Sequence, residues 1–112
     1  MKSTKIIGDE GEKRAKQFLI DENYQICITN YRFKRAEIDL IAEKGNELIF
    51  IEVKYRKNDF YGFPEIAVTP KKEELIKSAA EDYIFKIDWK ERVRFDIIAI
   101  VGNQIEHFKD AF

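Results

Sequence analysis

Residues 36–55 read AEIDLIAEKGNELIFIEVKY. Two runs within this stretch, Ala36 to Ala42 and Leu48 to Tyr55, are apolar, rich in β-branched residues and alternate with period two. The Gly45-Asn46 pair between them suits a two-residue hairpin loop. With those two residues in the loop, Lys44 faces Glu47 as an opposite-charge pair. The same register sets Asp39 opposite Glu52 and Glu37 opposite Lys54. Strand side chains alternate faces, so all four project from one side. Carboxylates set directly across a ladder repel each other. The arrangement therefore asks for positive charge between Asp39 and Glu52, and a divalent cation beside Lys54 would supply it.

Outward from the hairpin, the chain alternates between helical and extended patterns. Gly8 to Asn23 is expected to be helical, with Gly11, Ala15, Phe18 and Leu19 on one stripe. Tyr24 to Tyr31 reads as the first strand. Asn58 to Val68 reads as a loop holding Phe60, Tyr61 and Phe63, rings that either pack beneath their own loop or stack on splayed bases. Thr69 and Pro70 mark a helix start, as N-cap and first helical residue. That helix sets Ile76, Ala79, Ala80, Tyr83 and Ile84 on one face and ends near Ile87. Val93 to Val101 is almost continuously apolar, as in a strand buried on both faces. Ile105 to Phe108 adds a short edge strand after a Gly102-Asn103 turn. The order is αβββαβ with a short final strand. The second helix is a crossover, so the Val93 strand should lie parallel to the third strand. The expectation is an α/β fold, one mixed sheet with a helix on either side, formed as a single domain over residues 1–112.

The bulk numbers restrict the chemistry. There is one cysteine, Cys27, and one histidine, His107. An internal disulfide is impossible, a structural zinc site is nearly excluded, and a thiol or serine nucleophile with a histidine base has poor support from a single cysteine and a single histidine. Cys27 reads as a buried, inert thiol and His107 as a surface residue. The start of the chain, Met1 to Ile7, lacks a signal-type apolar run, and no stretch is long enough to span a membrane. A cytoplasmic protein with no membrane partner is expected. The net charge of -1 argues against a protein that merely coats nucleic acid. Local basic groups stand out instead: Lys13, Arg14 and Lys16; Arg32, Lys34 and Arg35; and Arg56, Lys57, Lys71 and Lys72. They are either ordinary solvated faces or phosphate contacts around an acidic centre. Arg32, Arg56, Lys71 and Lys72 are the candidates for holding nucleic acid, the last two at a helix N-terminus that favours anions.

Phosphodiester hydrolysis needs an attacking water and compensation for charge growing on phosphate. Magnesium or manganese held by carboxylates supplies both. Asp39 and Glu52 are the candidate ligands, with the Val53 carbonyl as a third, because magnesium keeps several waters and needs few protein oxygens. Lys54 would orient or help deprotonate the water. Glu12 sits at the border of the first helix's apolar stripe, where it either holds a metal-bound water or simply pairs with Lys16. Glu37 has a supporting role opposite Lys54. Asp96, interrupting an apolar strand, reads as a buried structural acid partnered by Arg94 or a backbone donor.

The segments Gly11-Glu12 with Ala15, Phe18 and Leu19; Asn30-x-Arg32; Glu37-Ile38-Asp39-Leu40-Ile41; Glu52-Val53-Lys54-x-Arg56; and Arg94-Phe95-Asp96 resemble the YraN family. Its members are small bacterial proteins whose core is similar to the PD-(D/E)XK, or restriction-endonuclease-like, nucleases and to archaeal Holliday-junction resolvases. The resemblance covers nearly the whole chain in order. It implies a restriction-endonuclease-like core and maps Asp39, Glu52 and Lys54 onto the D…E-x-K motif, with Glu12 as the helix-one glutamate. Ala36 stands where the family usually has Gly. The resemblance implies a Mg- or Mn-dependent endonuclease acting on branched or structured DNA, and junction resolution would favour a homodimer. The alternative is a catalytically silent module on the same fold that binds nucleic acid or a protein. A bare surface salt-bridge cluster ranks last, because it leaves two opposed acids with one lysine.

Overall fold

The computed structural model describes residues 4–57 and 67–112, with side chains from residue 10 onward. The chain runs α1 (Thr4–Asp21), β1 (Gln25–Phe33), β2 (Ala36–Lys44), β3 (Glu47–Arg56), α2 (Pro70–Ile87), β4 (Arg92–Val101) and β5 (Gln104–Phe108). The aromatic cluster expected at Phe60, Tyr61 and Phe63 lies outside the described residues.

The helices stop where their local chemistry tells them to. Asn23 takes a positive φ of 69° after α1, and the Tyr24 N–H then reaches back to the Leu19 carbonyl at 2.9 Å. Such a left-handed residue satisfies carbonyls that the ending helix leaves open. Thr69 caps α2, its side chain accepting from the Lys72 N–H at 3.2 Å, and Pro70 opens the first turn. α2 ends on left-handed Asp88. α1 begins earlier than the expected Gly8.

The five strands form one sheet in the order β1-β2-β3-β4-β5. Neighbours are antiparallel except β3 and β4, which run parallel because α2 carries the chain across between them. This α/β arrangement, one mixed sheet between two helices, matches a restriction-endonuclease-like core. On one face Ala15 and Leu19 of α1 pack with Leu40, Ala42, Ile49, Ile51, Ile98 and Ile100. On the other, Ile76, Ala79 and Ala80 of α2 pack with Ile38, Ile41, Leu48 and Phe50. β4 is exposed at Arg92 and Val93 and buried only from Asp96 onward. Among the described residues no helix is long and apolar enough to cross a membrane.

Three local expectations need correction. Cys27 is exposed on edge strand β1, where the pairing with β2 shifts between Ile26 and Ile28 and leaves it without a partner position. His107 is nearly buried. Its Nε2 sits 2.6 Å from Asp96 Oδ2, and its ring meets Phe18 and Tyr24 edge-on. The Gly102-Asn103 turn sets His107 opposite Ile98, two residues along β4 from Asp96 and on the same face. Glu37 pairs with Arg32 at 3.5 Å rather than with Lys54. Asp96 is fully buried and takes both expected kinds of partner, the Arg94 guanidinium and the Asp110 N–H.

Candidate functional site

The hairpin register is as the Gly45-Asn46 turn dictates, from Lys44–Glu47 up to Leu40–Ile51. There the β2–β3 ladder stops. β2 stays paired with β1 as far as Ala36, while β3 stays paired with β4 as far as Arg56. The sheet therefore forks one position short of the expected Asp39–Glu52 pair and three short of Glu37–Lys54. Alternation along β2 also breaks here. Leu40 packs on the α1 face, and Ile38, two residues away, packs on the α2 face. Across from the break, Asn30 of β1 has a positive φ of 54°. Asp39 lies at the crotch of the fork, and its Oδ2 accepts the Val53 N–H at 2.8 Å. Its carboxylate fills a ladder position that no β2 carbonyl occupies.

Glu52 is 5% exposed and forms an ion pair with Lys72 of α2. Burial pushes the Asp39 carboxyl up, the charges of Glu52 and then Glu12 push it further, and the Val53 N–H opposes them; it titrates at about 8. The two acids thus converge, although through the fork rather than a continuous ladder. A cavity of about 700 Å³ opens over them, lined by Glu12, Arg35, Glu37, Asp39, Glu52, Val53, Tyr55, Lys71 and Lys72, among others.

The predicted residues separate into two groups. Glu12, Glu37, Asp39, Glu52, Val53, Lys71 and Lys72 share the cavity wall. Lys54 does not line it, and its Nζ donates to the Ala67 carbonyl at 2.8 Å. Arg32 lies on edge strand β1, turned to Glu37, and Arg56 lies at the end of β3. Two contributors escaped the residue pattern. Arg35 was only one of a basic trio, and its place on the wall comes from the tight β1–β2 turn at Lys34-Arg35. Lys72 is a nucleic-acid candidate by sequence, and its contact with Glu52 follows from how α2 lies across the sheet.

Among the described residues no three His, Cys, Asp or Glu side chains gather into a metal cage. The donor set is two converging carboxylates, Asp39 and Glu52. Hard oxygen donors in small number suit magnesium or manganese, which complete their shells with water. A half-buried Asp39 pushed up to about 8 beside the buried Glu52 also marks a place short of positive charge. The residues present fit such an ion.

The sequence profile of the uncharacterised protein family UPF0102 matches residues 11–100. A UPF0102 protein of Cytophaga hutchinsonii is 48% identical over 98 residues, covering 88% of this chain and 87% of the relative. One from Phocaeicola vulgatus is 46% identical over 109 residues, covering 94% and 90%. One from Thermodesulfovibrio yellowstonii is 42% identical over 106 residues, covering 95% of each.

Proposed function

This chain belongs to the uncharacterised protein family UPF0102, and we propose that it is a divalent-metal-dependent endonuclease acting on DNA, in particular on branched or structured DNA. One observation carries the reading: Asp39 and Glu52 converge at a fork in the sheet, beneath a cavity whose wall also holds Arg35, Lys71 and Lys72. Acid at the floor and base at the rim is the charge order a phosphodiester needs, cation at the scissile group and ammonium or guanidinium on its neighbours.

In this reading Asp39 and Glu52 would hold a magnesium or manganese ion, whose chemistry when bound would be to lower the pKa of water and to offset charge on the phosphate. The N–H and C=O of an extended residue leave its strand on the same edge. Val53 gives its N–H to Asp39, so its carbonyl is directed to the same fork and would be available as a third oxygen. Asp39 must give up its proton to bind the ion, and the Val53 N–H holds the resulting carboxylate in place. Glu12, across the cavity, positions water through its carboxylate. Lys54 lies one strand position past Val53, and its ammonium must leave the Ala67 carbonyl to act on the reacting phosphate.

The test is cleavage of labelled linear, flapped and four-way DNA in magnesium, manganese or chelator. Cutting that chelator abolishes and Asp39→Ala removes is the expected result. Binding without cutting under every metal would leave the silent nucleic-acid-binding module as the correct reading.

A further inference from the structure

α2 sends one lysine into the acid pair and keeps its neighbour out of it. Lys72 Nζ contacts Glu52 Oε2, while the Lys72 side chain remains 51% exposed and that of Glu52 only 6%. Lys54, on the strand beside Glu52, is turned to Ala67 instead. The only ammonium on Glu52 among the described residues therefore comes from another element, on a stem of four rotatable bonds that can leave at little cost. Lys72 also sits in the capped first turn of α2, beside Lys71 and facing the same cavity as Arg35.

We propose that Lys72 is a built-in counter-ion of this centre: it occupies Glu52 in the metal-free protein, a divalent ion must displace it, and the displaced ammonium then takes a backbone phosphate of the bound nucleic acid. The inference rests on the metal-dependent reading above. It makes metal and nucleic acid bind cooperatively, since the ion releases the very group the phosphate needs. A competitor inside the site scales metal affinity by the fraction of molecules in which it leaves the ligand free. Because solvent reaches the half-exposed Lys72, the pair is taken on the scale of an exposed ion pair, about a fivefold effect.

Calorimetric titration of manganese separates the outcomes. Lys72→Met is expected to bind manganese about fivefold tighter than wild type. Lys71→Met removes the same charge from the same turn and is expected to change affinity less than twofold. If Lys72→Met fails to fold, Lys72→Gln tests the same point, retaining a polar contact without the charge. Unchanged or weaker binding in the Lys72 variants, or equal tightening in Lys71→Met, overturns the inference and leaves the metal site standing. No manganese binding in wild type or variant brings down the metal reading and this inference with it. The phosphate step has its own readout, the salt dependence of four-way-junction binding. Lys72→Met should lower the slope by about one charge with calcium present and leave it unchanged in chelator. Equal slopes in both conditions overturn that step.

Discussion

Asp39 is an acid held against another acid, and its titration is the most exposed consequence of the site. An aspartate ordinarily titrates near 3.9, but Asp39 does so at about 8. Between those values the folded chain keeps a proton that the unfolded chain has lost. Stability then falls as pH rises, by up to about 1.4 kcal/mol per pH unit from this group. The metal-free protein should lose stability from about pH 4 to pH 8, and Asp39→Asn should flatten that loss. Urea melts of chelator-treated protein at stepped pH check this, and parallel curves for wild type and variant would refute it. The acid pair was legible in residues 36–55, because period-two alternation and a Gly-Asn turn determine which strand positions meet. The way Asp39 reaches its place was not. The broken alternation at Ile38–Leu40 and the left-handed Asn30 arise from how β1 and β3 pull β2 in different directions.

At the scale of elements, the α1–β3 contact and the polar pin on β4 give opposite kinds of prediction. A Cβ on Gly11 would lie 2.7 Å from Tyr55 Cβ and 2.9 Å from its Cγ. Alanine gains about 1 kcal/mol in helix propensity, while overpacking of this kind costs about 1–3 kcal/mol. The obstructing atoms lie close to the Tyr55 backbone, so the clash should win. Gly11→Ala is expected to lower the melting temperature, and a more stable variant would show that α1 slides freely. Asp96 is held below the ordinary carboxylate range: burial pushes it up, but His107, Arg94 and the Asp110 N–H together outweigh burial. That stabilisation is present above the unfolded carboxylate range and is lost as pH falls below it. Asp96→Asn leaves Arg94 and His107 without their shared charge and should cost about 3 kcal/mol, with manganese affinity changed less than twofold because Asp96 is part of neither cavity wall nor fork. A collapse of metal binding in a folded Asp96→Asn would contradict this separation. The elements themselves were largely legible. Thr69-Pro70, Gly45-Asn46 and Gly102-Asn103 are local signals, and the crossover handed β4 its parallel partner. The Gly102-Asn103 turn also sets His107 opposite Ile98, one diagonal step from Asp96, so that pair was within reach of the sequence; what spacing did not give was the burial that closes over it.

On the scale of the molecule, a chain of net charge -1 can meet a polyanion only where its charges are sorted. They are sorted around the fork, with Arg35, Lys71 and Lys72 on the rim and Asp39 and Glu52 beneath. Arg35→Ala should therefore weaken DNA binding more than Arg32→Ala, since Arg32 is turned to Glu37 on the edge strand; equal losses in a fluorescence titration would argue for a diffuse surface. A ligand that binds only the folded state stabilises it. Manganese at ten times its dissociation constant should add about 1.4 kcal/mol, a rise of several degrees in melting temperature, and Asp39→Asn should show none. The most direct measurement is an anomalous difference map from a manganese-soaked crystal. One peak is expected in the fork, about 2 Å from oxygens of both Asp39 and Glu52, with the Val53 carbonyl in its shell. A peak elsewhere, or a fully occupied soak with both carboxylates still unligated, would contradict it.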